Sequence, residues 1–571
     1  MLVFVLVWKD LEGEGNRHLF IYAFGPDALL LAFSCLWLNG RWRALVPAMA
    51  WGGTVFLYAN ILYQRYWGDI IPFSLIFDPS CYNGFVFNSI GSLLRWSDLL
   101  YLIGPAAATA AYPLMKIWKC KSLPLSAKLL LGDIWTIIFL LGAARQVIAL
   151  YRYQAAVDSE EQRSVFQVYE GKFFNSSRIN VLRANGFVPY LCNQLYMSAE
   201  TGSRRLSGEE EKEIAAYLTK QPGSNPLYRD IFKLNRDKNV ILLVVESLNA
   251  WIVDKRYDGH EVMPALDSLM NASGSIGCVH VKTQVKDGGS SDGQMIYNTG
   301  LLPIPNGSAA LLYGAKNLYT SLPRLSGSKY PIEIIVEAGD QWNQRATYKA
   351  YHYKEMVECE LLPGAAERFR RAGGQDMAVL QEGARQMERL EKPFFMEITT
   401  LSMHYPYEDP DVKMPGWVRE LKGVGEMEKR YLAACIHFDN ALRWLVAELK
   451  KKGIYDDTVI FIASDHGQLV DNPELGEDTC VFLALNTGVT EKIEKTAGQI
   501  DIFPTMLEIL GRLDDSPWRG LGHSLLMPGY DGAVLPDGSV AGNPTPSEIE
   551  RMREAWTISD LMIRSNYFSD K

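Results

Sequence analysis

Four stretches of this chain place hydroxyl, carboxylate and imidazole groups where they could act together. The first is Lys286-Asp287-Gly288-Gly289-Ser290-Ser291-Asp292-Gly293. It follows an alternating run (Ile276, Val279, Val281) that predicts a strand and precedes Gln294–Thr299, which predicts a helix. Two glycines permit a tight turn there. A serine at such a turn carries its hydroxyl to a helix N-terminus, where amides and the macrodipole favour a phosphate. An N-cap serine looks the same on its own, so the reading depends on what the other stretches supply.

They supply metal ligands. Val240–Val245 ends on Glu246, Ile332–Val336 ends near Asp340 and Trp342, Phe394–Ile398 leads into His404, and Val459–Ala463 ends on Asp465-His466. A serine hydroxyl is a weak nucleophile until a base or a metal activates it. Glu246, Asp465 and His466 offer two carboxylates and an imidazole, and with Ser290 they make a four-ligand set suited to one Zn²⁺ or Mn²⁺. Such an ion lowers the hydroxyl pKa and offsets charge on a transferring phosphoryl group.

The elements that must position these groups are readable from residue 239 onward. Short apolar runs alternating with helical patterns predict an α/β domain with a mainly parallel sheet. In such sheets the functional crevice lies beyond the carboxyl ends of the strands, and all four polar endings fall there. At 571 residues the chain exceeds one ordinary domain. We divide it into a helical membrane domain (1–150), connecting helices (151–236), a catalytic domain (237–530) and a C-terminal tail (531–571). The connecting part contains Ser207–Leu218, a helix with a Ser-Gly-Glu-Glu start signal.

Residues 1–150 are densely apolar. Stretches at about His18–Leu38, Arg43–Tyr63, Asp98–Ile117 and Lys128–Leu150 are long enough to span a bilayer. Met1–Trp8 is too short and reads as the remnant of a first helix or an interfacial segment. Arg41 and Arg43 lie in one loop, and Lys116, Lys119, Lys121 and Lys128 in another; by the positive-inside rule both are cytoplasmic. The chain after residue 150 then lies outside the cytoplasmic membrane. Loop 64–97, rich in aromatics such as Tyr66, Trp67 and Phe73, falls on the same side. The eight cysteines are scattered without a CxxC pair, which argues against a zinc knuckle or a disulfide framework. A net charge of −9 argues against a nucleic-acid partner.

At these residues the sequence resembles the lipoteichoic acid synthase family, membrane phosphoglycerol transferases of the alkaline phosphatase superfamily. The resemblance runs from about residue 55 to 525. It rests on Leu57-Tyr58-Ala59-Asn60 to Arg65-Tyr66-Trp67, Asn239 to Glu246-Ser247, Ser290-Ser291-Asp292, Trp342-Asn343, His404-Tyr405-Pro406, Asp465-His466-Gly467, Gln499–Thr505 and Gly520–Leu526. It implies an α-helical multi-pass membrane domain followed by an extracytoplasmic alkaline phosphatase-like domain. Glu246, Asp465 and His466 would hold the metal, with Ser290 as nucleophile and fourth ligand; that position is typically threonine in relatives. His404 would bind phosphate or protonate the leaving oxygen, and Asp340, Trp342 and Arg345 would contact the head group. The family's Trp-Asn-Arg reads Trp342-Asn343-Gln344-Arg345 here, which opens the choice between glycerol and ethanolamine. The implied donor is a phosphatidylglycerol-like phospholipid, and the acceptor a glycan, lipid or polymer hydroxyl. A sulfatase would carry Pro and Arg two and four places after the nucleophile; Ser290 is followed by Ser-Asp-Gly-Gln. Two-metal relatives add an Asp where Thr400 stands, which favours one ion. A hydrolase, or a non-catalytic binding protein on the same fold, are the alternative readings.

Overall fold

The computed structural model describes residues 45–67, 93–117, a few positions near 71 and 124–133, and 204–569 apart from 306, 327–329, 331–332, 340–342 and 468–478. The chain forms two compact units, Met1–Phe77 with Cys81–Glu200, and Thr201–Lys571 with Asp78–Ser80.

In the first unit, α1 (Leu45–Trp67) packs on α2 (Ile103–Ile117), which a 3-10 turn, Trp96–Leu102, precedes. The turn is fixed by Asp98. Its carboxylate accepts two bonds of 2.8 Å from Arg65 and one of 2.6 Å from the Tyr58 hydroxyl. A buried bidentate pair of this kind holds two segments in one geometry, because breaking it strands a charge. Of the expected spans, Arg43–Tyr63 falls on α1 from Leu45 onward, and Asp98–Ile117 on the 3-10 turn and α2. His18–Leu38 and nearly all of Lys128–Leu150 lie outside the described residues. Among those described, no helix is long and apolar enough to cross a membrane.

The second unit is built on a nine-stranded sheet. Its strands are β1 (Asn239–Val245), β2 (Ile276–Lys282), β3 (Glu333–Glu337), β4 (Glu355–Glu358), β5 (Phe395–Thr399), β6 (Thr458–Ser464), β7 (Thr479–Leu485), β8 (Glu491–Ile493) and β9 (Ala497–Gly498). The order is β8-β2-β7-β6-β1-β5-β3-β4, with β9 beside β2. The run β6-β1-β5-β3-β4 is parallel throughout, and β7 is antiparallel to both neighbours. Every residue of β1, β6 and β7 is buried, as continuous apolar runs covered on both faces require.

Helices cover the two faces. On one, α7 (Gln375–Met387) packs against β5, β3 and the long α8 (Glu426–Lys451). The other carries α4 (Ser290–Thr299), α9 (Ile502–Ile509) and α10 (Pro546–Arg564). Helix α3 (Gly208–Thr219) starts at the Ser207–Glu210 capping box that the sequence signals.

Two expected boundaries look different in the structure. Ile214 and Tyr217 of α3 are buried in the core of the second unit, so the connecting segment past residue 201 is part of it. The expected tail, 531–571, holds a short hairpin and α10, whose Ile558, Met562 and Ile563 enter the same core. Apolar residues at i, i+4 and i+5 give α10 a face to bury.

Candidate metal centre and nucleophile

Register places the ligands. Val245 of β1 pairs with Ser464 of β6, so the next residues, Glu246 and Asp465, leave the sheet side by side. Ser247, at φ 49°, turns the chain away from β1. Its amide donates to Asp465 Oδ1 (2.8 Å), and its hydroxyl donates to Glu246 Oε1 (2.7 Å). Tyr431 of α8 donates to the Ser247 carbonyl (2.8 Å) and so holds this uncommon backbone conformation. Thr400, just past β5, accepts from the Glu246 amide at 3.1 Å.

His466 completes the group. Its Nδ1–H donates to the Gly467 carbonyl (2.7 Å), which makes Nε2 the basic nitrogen. Nε2 lies 3.6 Å from both Glu246 Oε1 and Asp465 Oδ2. Among the described residues, Glu246, Asp465 and His466 are the cluster of such side chains whose donor atoms all fall within 4.8 Å of one another. Asp465 Oδ2 is buried without a hydrogen-bond partner. A carboxylate oxygen left bare at the meeting point of a second carboxylate and an imidazole fits a divalent cation.

The electrostatics agree. Burial, and the charge of Glu246 beside it, push the Asp465 carboxyl up to about 8. Burial opposes ionisation of Glu246 as well, but His404 and His466 outweigh it and hold that carboxyl below its ordinary value. Two like charges this close hold a proton between them unless a cation takes its place.

Ser290 is the first residue of α4; the cap position is Gly289 at φ 51°, a conformation that favours glycine. Its hydroxyl donates to Glu246 Oε2 (3.0 Å) and lies 3.3 Å from His466 Nε2. Ser291 points elsewhere. It is buried, donating to the Gly288 carbonyl (2.8 Å) and lying 3.2 Å from Ser308 Oγ. The amides of Ser291, Asp292 and Gly293 donate to Gly288 and Gly289 carbonyls. The helix start therefore offers its dipole and not the row of open amides that the sequence suggested. Further along α4, Gln294 Nε2 and Asn298 Nδ2 bind the buried carboxylate of Glu397 at 2.6 and 2.7 Å, and Tyr353 adds a third bond. Burial raises the Glu397 pKa.

His404 sits in the loop after β5. Its Nδ1–H donates to the Tyr405 carbonyl at 2.6 Å, and burial lowers its pKa while Glu246 partly opposes that. Arg345, on α5 (Gln344–Ala350), is exposed and bound by two bonds of 2.8 and 2.7 Å to Glu358 at the end of β4. Asp340 and Trp342 lie outside the described residues. His523 pairs with Asp501 at 3.0 Å and stacks on Tyr530. Cys278, Cys359, Cys435 and Cys480 are buried.

Sequence reasoning missed the parts played by Ser247 and Tyr431, and read Thr400 only as the absence of a second-metal carboxylate. Ser247 alone had a visible signal, since it follows the ligand Glu246 directly.

Comparison with known proteins gives a consistent picture. The Sulfatase family model matches residues 238–512, and the model of the lipoteichoic acid synthase N-terminal domain matches residues 3–155. Lipoteichoic acid synthase of Staphylococcus saprophyticus is 26% identical over 509 residues, covering 84% of this chain and 74% of the relative. That of Staphylococcus aureus is 25% identical over 507 residues with the same coverage. Among solved structures, the lipoteichoic acid synthase LtaP from Listeria monocytogenes is 18% identical with a TM-score of 0.48, covering 60% of this chain and 94% of that one. With one model over the N-terminal region, the other over the sheet and its helices, and relatives aligned across both, the chain belongs to the lipoteichoic acid synthase family of the alkaline phosphatase superfamily.

Proposed function

We propose that this chain transfers a phosphoglycerol-type head group from a phospholipid to an acceptor hydroxyl through a phospho-serine intermediate on Ser290. The observation that carries the reading is the convergence of Ser290 Oγ with Glu246 and His466 at 3.0 and 3.3 Å, beside the unpartnered Asp465 oxygen. Relatives named lipoteichoic acid synthase, aligned over 84% of the chain, support the substrate class.

Glu246, Asp465, His466 and Ser290 would hold one divalent ion, Mn²⁺ or Zn²⁺. When bound, it supplies Lewis-acid activation of the hydroxyl and stabilises phosphoryl charge. Ser290 Oγ attacks phosphorus, and the bond from phosphorus to the diacylglycerol oxygen breaks. Glu246 Oε2 accepts a hydrogen bond from the Ser290 hydroxyl in the resting geometry, takes its proton as Oγ attacks and returns it when Ser290 is released. His404 delivers a proton to the departing oxygen, and in the second half-reaction takes one from the acceptor hydroxyl that releases Ser290. Asp340, Trp342 and Arg345 are carried over from the family resemblance as the residues that would contact the head group. The apolar stretches of residues 1–150 anchor the enzyme as a multi-pass protein of the cell membrane, with the catalytic unit outside and its lipid donor at hand.

Mass spectrometry of the Ser290 peptide after incubation with phosphatidylglycerol tests this. A glycerol-phosphate adduct is expected. A phosphoethanolamine adduct from a mixed lipid pool changes the head group, and phosphate release without an adduct supports a hydrolase.

A further inference from the structure

The chain is net acidic, yet one short helix on the catalytic edge carries a concentration of arginine. Helix α6 (Ala365–Ala372, AAERFRRA) has no buried residue. Arg370 and Arg371 both pair with Glu367, and Arg371 Nε lies 2.5 Å from it. Arg368 and Arg385 both pair with Glu382, the former at 3.2 Å. Four guanidinium groups thus share two carboxylates, a local excess of two positive charges. Exposed ion pairs of this sort contribute little and yield to a stronger anion.

Both ends of α6 reach segments that flank the site. On its N-terminal side, the Glu360 amide donates to the Ala338 carbonyl (2.8 Å), and the Glu360 carboxylate packs on Gly339, beside the head-group segment. Just past its C-terminus, the Gln375 amide donates to Asp409 (2.8 Å), and Asp376 accepts from the Leu401 and Ser402 amides (2.8 Å each) in the loop carrying His404. The ridge follows β4, three strands from β1, or roughly 14 Å at the usual strand spacing. That is too far to touch a head group held at Ser290, and suits a longer ligand that leads into the site.

We propose that α6 binds the phosphodiester backbone of a polymeric acceptor while its terminal hydroxyl approaches Ser290. Arginine suits the task, since its planar fork matches phosphate oxygens in pairs. A bilayer surface fits less well, because Phe369 is partly covered and, among the described residues, Leu361 is the large apolar side chain left exposed beside α6. The proposal rests on the transferase reading given above.

The test uses the full chain in detergent and the double variant Arg370→Gln/Arg371→Gln. These two are chosen because their partner Glu367 is solvent-accessible, whereas removing Arg368 would strip the buried Glu382. A synthetic glycerol-phosphate oligomer is titrated at low and high salt. The variant should bind it about tenfold more weakly with a shallower salt dependence, while formation of the Ser290 adduct from phospholipid and transfer to free glycerol are unchanged. Unchanged oligomer affinity overturns the proposal. So does a loss confined to binding of phosphatidylglycerol vesicles, which would mark a lipid-facing surface. If the parent forms no Ser290 adduct, the transferase reading fails, and the oligomer titration still decides whether the ridge binds a phosphodiester chain.

Discussion

Gly293 of α4 lies against the Asp465 carbonyl so closely that a Cβ there would sit 2.1 Å from the oxygen. This contact sets how near α4 brings Ser290 to Glu246, Asp465 and His466, since Ser290 is three residues away on the same helix. Gly293→Ala should push α4 off the end of β6. Overpacking of this kind typically destabilises by about 1–3 kcal/mol. Metal affinity and turnover should fall together, while thermal unfolding still shows a cooperative transition. Full activity in Gly293→Ala would show that the helix can shift at no cost to the site.

The two adjacent serines give a clean contrast. Ser290 Oγ meets Glu246 and His466, whereas Ser291 Oγ is spent on Gly288 and Ser308. Ser290→Ala should abolish turnover and leave the melting temperature close to that of the parent. Ser291→Ala should keep most activity and lose about 1 kcal/mol of stability, the usual worth of a buried hydrogen bond. Turnover assays and thermal melts on both variants check this.

The sheet was legible because β1 and β6 are unbroken apolar runs, and their ends announced Glu246, Asp465 and His466. The turn at Gly288-Gly289 announced Ser290. What did not show was tertiary. Nothing local to Gly293 says that the Asp465 carbonyl, just past β6, will lie against it. Thr400 read as a missing second-metal ligand, whereas in the fold its hydroxyl anchors the Glu246 amide. The resemblance placed Arg345 near the head group, and the structure engages it with Glu358, 13 residues further on at the end of β4. Such partners depend on strand order, which periodicity does not encode.

Asp267 offers a pH test remote from the metal. Burial, with Asp254, Asp439 and Glu261 nearby, pushes its carboxyl up to about 6, although the Asp254 amide donates to it at 2.9 Å. A carboxyl raised above its unfolded value binds more protons folded than unfolded, so stability falls as pH rises from about 4 to 6 through that window. Asp267→Asn keeps an acceptor for the Asp254 amide and removes the titration. Melting temperatures of the variant should therefore decline less across this window than those of the parent. Parallel curves would mean that Asp267 does not titrate as its surroundings imply.

The count of metal ions turns on His404. Among the described residues, Glu246, Asp465 and His466 form the one cluster of three such side chains, and Ser290 Oγ completes a four-ligand set for a single ion. A second ion would need its own carboxylate near His404, and the residue available there, Thr400, already accepts from the Glu246 amide. One ion leaves proton transfer at the leaving and acceptor oxygens to a side chain, the part assigned to His404. Losing a group with that task typically costs about 10²–10⁴-fold in rate, whereas losing a ligand removes the metal as well. The purified enzyme should bind about one equivalent by elemental analysis. His404→Ala should retain it with turnover reduced by that factor, and Asp465→Ala should lose both. Two equivalents in the parent, falling to one in His404→Ala, would make His404 a ligand and this a two-metal enzyme.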